Sequence, residues 1–353
     1  MSSKFTDDSI ELRNYIFPKI ETYNKNNLKK LYNHLNKIIL KNVKILSFNN
    51  ETVKEDFHFR NDIYMSDKIN KYINKHLNKV TTCKLIIDGL NITLRIYYQN
   101  EDIRYLIYML IKYIKFILSI SDISLNNLEI NYYLTDYKKL LNKNLVFTKD
   151  QVNSGSCLIK DNGSALINIW RKEEILKVTL HELIHALKFS EYNDTNELMD
   201  NYKDKYNISL KYTLSNEAYI EIWANILNCY LISQTTNKNP LKFFMTMVDL
   251  ERSYSIYLAG KLLNRINGEN NFNINKNTHV FEYYIIKAEI YENISKFIDI
   301  CIENKDYINI INNNKLMIFL LKNNKIKQNK RKVNTSNFIY KTLRMSVNEL
   351  SVF

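Results

Sequence analysis

Glycine and proline are nearly absent. The 353-residue chain has five Gly and two Pro, so few residues are suited to left-handed turns or rigid kinks. Turns fall to Asn, Asp and Ser, and long helices are favoured. Cysteine is scarce as well: Cys83, Cys157, Cys229 and Cys301 stand more than 70 residues apart. That spacing holds no CxxC pair, which excludes a cysteine zinc knuckle, and no disulfide framework, which fits a reducing compartment. The opening MSSKFTDDSI lacks the apolar core of a signal peptide. The best membrane candidate, 103–120, carries Arg104, Lys112 and Lys115 on one side. It is expected to be an amphipathic buried helix and not a membrane span. A soluble, intracellular protein is the expectation.

What is present is ordinary in its bulk balance, with 45% hydrophobic and 25% charged residues, enough for two or three structural units. The net charge of +13 points toward nucleic acid at first sight. The cations, however, are 41 Lys and only nine Arg, beside abundant Asn, Ile and Tyr. These residue types share AT-rich codons, so the basic balance is ascribed to composition and no nucleic-acid partner is assigned. The composition also resembles that of proteins from large AT-rich DNA viruses, which implies host cytoplasm or virion as the location. Nothing in the sequence sets an oligomeric state.

Apolar spacing divides the chain into four stretches. Residues 1–80 are expected to be polar helices, with Leu28, Leu31, Leu35 and Ile38, then Ile69, Ile73 and Leu77, at helical intervals. Residues 81–190 change character. Alternating Ile and Leu around Asp88-Gly89 predict a hairpin, and Asn162-Gly163 predicts a second. Between them lie the helix at 103–120 and, in NLEINYYLTDYKKLL, a strand running into a short helix. Residues 191–325 are helical in pattern, with Pro240 at a helix start. Residues 326–353 are expected to form a basic tail, its run Lys322–Lys332 solvated. The Asn-rich Gly268–Asn277 is a turn region.

The stretch LKVTLHELIHALKF concentrates the chemistry. His181 and His185 stand at i and i+4 on one helix face, about 6 Å apart along the axis, and can both reach one zinc ion. Glu182 stays near that side, where its carboxylate can take a proton from metal-activated water. The opposite face, Leu176, Leu180, Leu183 and Leu187, is apolar. The pattern uses two of six His in the chain. Zinc needs a third protein ligand that leaves one open position. A metzincin extension would need Gly at 188 and His at 191, and the chain has Lys188 and Glu191. Glu191 could ligate only if the helix broke sharply. Downstream, SNEAYIEIWANIL offers Glu217 and Glu221 on one helix face, with Ile220, Trp223, Leu227 and Leu231 on the other. One of the two binds zinc and the other accepts the free N–H of a ligand His.

HELIH followed by NEAYIE resembles the gluzincins, the thermolysin-like branch of the zincin metallopeptidases. The resemblance spans at most 165–231. It implies that Glu217 is the third ligand and Glu221 the support of His181. The 32-residue gap from His185 and a Glu in the supporting position keep Glu221 open as the ligand. It also implies one Zn²⁺, a peptide or protein substrate, and a strand beside the active helix along which substrate lies. Ser164–Arg171 is the candidate strand, and Asn153-Ser154-Gly155 either shapes the lip of a cleft or is a plain turn.

Hydrolysis also needs a donor for the oxyanion. His279 ranks first, ahead of Tyr219, Tyr257, Tyr283 and Tyr284; its competing role is a helix-start or surface His. Arg252 and Arg171 can pair with a substrate carboxylate or, for Arg252, with Asp249. His34, His58 and His76 are expected to be exposed. The expected architecture is α+β and zincin-like: a helical N-terminal segment, a small mixed sheet subdomain and a mostly helical C-terminal half, with the active helix between them. The expected activity is zinc-dependent peptide hydrolysis with Glu182 as general base. The alternative is a non-catalytic basic structural or nucleic-acid-associated protein whose HExxH is accidental or a relic.

Overall fold

The structure is a computed structural model, described here for all residues except 1–3, 21–22, 54–61, 142–146, 190–191, 209–213, 236–237, 267–277, 303–312 and 328–336. His58, Glu191 and the whole of Gly268–Asn277 therefore lie outside the described residues. Along the chain, α1 (Asp7–Ile16) and α2 (Asn26–Leu35) precede β1 (Val43–Thr52). Helix α3 (Asp67–His76) leads to β2 (Lys79–Ile87) and β3 (Leu90–Tyr98), and α4 (Arg104–Ser119) to β4 (Asn127–Tyr133). The turn α5 (Lys149–Val152), β5 (Gly155–Ile159), β6 (Ala165–Ile169) and α6 (Ile175–Ala186) follow. Then come α7 (Asn196–Tyr206), α8 (Ser215–Ser233), α9 (Pro240–Ile266), a π-helix (Phe281–Ile286) and α10 (Lys287–Glu292). Helices α11 (Ile294–Ile302), α12 (Asn313–Leu321) and α13 (Phe338–Lys341) complete the order.

The chain is mixed α+β and divides into two compact units, each assembled from separated stretches. One comprises Ile38–Lys139, Thr148–Lys188 and Val352–Phe353; the other Met1–Lys37, Leu140–Phe147 and Phe189–Ser351.

The first of these holds a six-stranded sheet in the order β1-β2-β3-β4-β6-β5. Antiparallel pairs join β1 to β2, β2 to β3 and β5 to β6; β3–β4 and β4–β6 are parallel. The two turn signals form as expected. Asp88 (φ 50°) and Gly89 (φ 86°) supply the left-handed pair of a tight hairpin, and Gly163 (φ 74°) closes β5 onto β6. One sheet face carries Cys83, Leu85, Ile87, Ile92, Leu94 and Ile96, all buried. On the other face Tyr97 stacks on Tyr133 with ring centroids 4.8 Å apart. These rings join Trp170 and the Ile69, Ile73 and Leu77 stripe of the α3 region in one apolar cluster. Helix α4 is the predicted helix at 103–120, and it packs on α6.

Three expectations fail in this unit. Strand β1 lies inside a stretch expected to be helical. It is an edge strand bulged between Ile45 and Ser47, with Ile45, Leu46 and Phe48 exposed, so its apolar residues show neither the alternation of a half-buried strand nor a helical stripe. The short helix after β4 is absent, because tertiary bonds claim that segment's polar groups. Leu134 N–H donates to Tyr97 O (3.0 Å), Lys139 N–H to the Glu173 carboxylate (2.7 Å), and Lys139 Nζ forms a fully buried pair with Glu174 (2.7 Å). Finally, β6, the candidate strand for pairing with substrate, has no open edge. It lies between β4 and β5, and β5 is the terminal strand.

The second unit is helical. Its central element, α8, is buried nearly all round, including Glu217, Glu221, Asn225 and Asn228, which is why it has no single apolar face. The residues around it come from α9, the π-helix and α10. Pro240 opens α9 as predicted. Residues 338–350, expected in a basic tail, are largely buried. Glu251, fully buried on α9, accepts from the Ser346 hydroxyl (2.5 Å), the N–H groups of Val347 and Asn348 (3.1 Å each) and Asn348 Nδ2 (2.8 Å). Asn228 donates to Asn348 O (3.0 Å) and Tyr284 to Leu343 O (2.7 Å). His34 and His76 are half-buried, not exposed, and the His76 ring lies tilted against Tyr72 with centroids 4.5 Å apart. All four cysteines are free. Among the described residues no helix is long and apolar enough to cross a membrane.

Candidate metal centre

The HExxH segment forms α6 as its pattern predicts. Glu174 opens the helix in the left-handed conformation (φ 60°), and its carboxylate is held by Lys139. Thr179 folds its hydroxyl back onto Ile175 O at 2.8 Å, a bond that satisfies it inside the core. The helix stops directly after the motif. Lys188 takes φ 52°, and its N–H donates to His185 O at 3.0 Å, a left-handed C-terminal stop of the kind glycine usually supplies. Leu180, Leu183 and Leu187 are completely buried and Leu176 nearly so.

His181 Nε2 and His185 Nε2 lie 3.3 Å apart. Among the described residues, His181, His185 and Glu217 each offer a ligand atom, and these atoms all lie within 4.8 Å of one another, a group that could hold a metal ion. The spacing suits the task. Two nitrogens at about 2.0–2.1 Å from a tetrahedral ion stand roughly 3.3 Å apart. Two imidazoles and one carboxylate are also the donor number and kind that leave a tetrahedral ion one position short. Of the two α8 carboxylates, Glu217 joins this group. Glu221, one turn on and buried, lies 3.7 Å from the buried ammonium of Lys287.

Glu182, adjacent in sequence to His181, is buried, with 6% of its surface exposed. It lies against β5. A Cβ built on Gly155 would fall 2.6 Å from Glu182 Oε1 and 2.9 Å from its Cγ, so the strand approaches the carboxylate as only a glycine permits. Two residues on, the half-buried Cys157 thiol is pushed up by burial and then by the Glu182 charge, which places that charge beside the strand. The reading of Asn153-Ser154-Gly155 divides accordingly. Asn153 O accepts from Trp170 Nε1 (3.2 Å) and Arg171 Nε (2.8 Å), a purely structural use, whereas Gly155 touches the proposed base.

The first turn of α8 is densely held. Ser215 N–H donates to Asp194 at 2.8 Å, Leu214 N–H to Glu282 at 3.1 Å, and the Tyr283 hydroxyl to Glu217 Oε2 at 2.9 Å. Burial pushes the Glu282 carboxyl up to about 8, and the charges of Glu217 and Asp194 push in the same direction against two backbone hydrogen bonds. At neutral pH Glu282 is thus mostly protonated, so Glu217 does not face a second full anion there. His279, in the left-handed region (φ 44°), sets its ring edge-on to Tyr283 with centroids 6.0 Å apart.

The remaining predicted residues have other uses. Arg171 is buried, and its guanidinium donates to the carbonyls of Asn153, Tyr137 and Asp150, so it is not placed to take a substrate carboxylate. The Arg252 guanidinium lies over the Tyr23 ring at 5.1 Å, and Asp249 pairs with Lys25. Tyr219 is completely buried, and Tyr284 is engaged by Leu343 O. Sequence reasoning named Gly155 only within a candidate cleft lip and missed its contact with Glu182; it missed Asp194 and Glu282 altogether. A glycine opening a strand was the available signal for the first; the other two had none beyond their charge. No protein-family model, no curated protein and no solved structure matches the chain.

Proposed function

We propose that the protein is a zinc-dependent hydrolase of peptide bonds, built on the gluzincin plan. The observation that carries this is the grouping of His181, His185 and Glu217 with a buried carboxylate, Glu182, adjacent in sequence. His181, His185 and Glu217 would hold the ion, a donor set that would leave room for a solvent ligand. When bound, zinc supplies Lewis acidity, making a water nucleophilic near neutral pH and polarising a carbonyl. Glu182 is the general base: its carboxylate takes the proton of the attacking water and returns it to the leaving amine. Its seat against Gly155 orients it without a competing side chain. His279 is the assigned donor to the developing oxyanion. The terminal strand β5, with Leu158 and Ile159 exposed, replaces β6 as the strand that an extended peptide would pair with.

Metal analysis of purified protein tests the reading. Wild type is expected to carry one equivalent of zinc and to cleave members of a quenched fluorogenic peptide library. His181→Ala is expected to lose the zinc. Glu182→Gln is expected to keep it and lose cleavage. Protein with no stoichiometric zinc, or Glu182→Gln with full activity, would sink the proposal.

A further inference from the structure

The strongest unexplained feature of the helical unit is the π-helix Phe281–Ile286. Single-turn π segments inside helical runs concentrate at functional sites. Two successive residues of this one act on the same turn of α8: Glu282 accepts from Leu214 N–H at 3.1 Å and Tyr283 donates to Glu217 Oε2 at 2.9 Å. A helix N-terminus leaves its first N–H groups without intrahelical partners. Here Glu282 and Asp194 supply acceptors from outside the helix. The turn that carries Glu217 is thus fixed in position by its backbone, and Glu217 Oε2 is held by a tyrosine hydroxyl.

We infer that Tyr283 is a positioning residue: its hydroxyl fixes the Glu217 carboxylate in the orientation that closes the group with His181 and His185. The inference rests on the proposed metal reading of that site. It assigns Tyr283 a part distinct from the oxyanion donor for which its residue type also qualifies. The hydroxyl donates to Glu217 Oε2 and so holds one of the two carboxylate oxygens in place. It also removes rotamer freedom that ligation would otherwise have to remove. Partners that orient a ligand in this way typically govern metal affinity by about 10- to 100-fold.

The test is zinc affinity, measured by competition with a chromogenic chelator on the full chain. Tyr283→Phe keeps the ring beside His279 and deletes only the hydroxyl. It is expected to weaken zinc binding roughly 10- to 100-fold with the melting of the metal-free protein unchanged. Tyr284→Phe deletes the neighbouring buried hydroxyl, which donates to Leu343 O, and is expected to leave the affinity alone. Wild-type affinity in Tyr283→Phe, or an equal loss in Tyr284→Phe, overturns the inference while the metal reading stands. Wild type that binds no zinc overturns both. Should Tyr283→Phe not fold, fluorotyrosines at position 283 keep the shape and graded donor strength. Zinc affinity that tracks the fluorination supports the role, and affinity indifferent to it refutes the role.

Discussion

Gly155→Ala separates the proposed base from the metal and from the fold. The added Cβ would stand 2.6 Å from Glu182 Oε1, 2.9 Å from Cγ and 3.0 Å from Cδ, where ordinary contacts begin at 3.4 Å. The carboxylate oxygen must therefore retreat by about 0.8 Å and Cγ by about 0.5 Å, the differences between those distances. Because Cγ is crowded too, rotating the terminal carboxylate does not relieve the clash; the whole arm shifts. The arm is a side chain, and yielding costs it less than the strand backbone would pay. Replacing Gly by Ala also narrows the unfolded ensemble, worth about 0.4–1 kcal/mol in favour of folding. The two effects nearly offset, so thermal stability is expected to change by less than about 1 kcal/mol. Activity does not share that tolerance. A misplacement near 1 Å costs on the order of 100-fold in rate, and kcat/KM on a cleaved fluorogenic peptide is expected to fall by about that factor. Zinc content stays at the wild-type value, since no ligand is moved. Full activity in Gly155→Ala refutes the placement of Glu182 as base against β5. Loss of zinc in parallel with activity refutes the claim that the strand acts on the base alone.

Two further outcomes follow from buried carboxylates of the helical unit. Glu251→Ala strips the acceptor from Ser346 Oγ, two backbone N–H groups and Asn348 Nδ2. At about 1–3 kcal/mol per unsatisfied buried group, a loss of roughly 3–5 kcal/mol is expected, with residues 342–350 newly open to limited proteolysis; an unchanged melt and cleavage pattern would contradict the packing. Glu289, buried against Tyr202, Tyr206 and Lys205, has its carboxyl pushed up by burial from 4.5 to about 7. The folded state then holds this proton more tightly than the unfolded chain does. The stability it contributes is complete below about 4.5 and lost as pH rises through about 7. The expected difference, on the order of 3 kcal/mol, is read by urea unfolding at pH 5 and pH 8.5. Glu289→Gln should flatten the slope relative to wild type, and an identical slope in both proteins would show that Glu289 titrates normally.

Much of the site was legible in one dimension because its parts are local. His181, Glu182 and His185 lie within five residues of one helix, and α-helical geometry alone puts the two imidazoles on one face. The hairpins at Asp88-Gly89 and Asn162-Gly163 were legible for the same reason, since the turn residues dictate the backbone. Illegible features depended on distant chain. Strand β1 carries its apolar residues outward, so no burial pattern marks it. The segment after β4 has helical composition, but Tyr97, Glu173 and Glu174 claim its polar groups. Residues 342–350 fall in the stretch expected to be a basic tail and are instead drawn in by Glu251, about a hundred residues earlier.

Periodicity and motif spacing by themselves determined the α+β class, the HExxH helix and its apolar face, because these follow from side-chain direction along a regular backbone. Tertiary structure alone decided that Glu217 and not Glu221 completes the three-residue group, that β5 is the terminal strand, and that Gly155 seats Glu182 while Tyr283 holds Glu217. Those choices are distances between residues far apart in the chain. Such distances are set by how whole elements pack, and no local pattern records them.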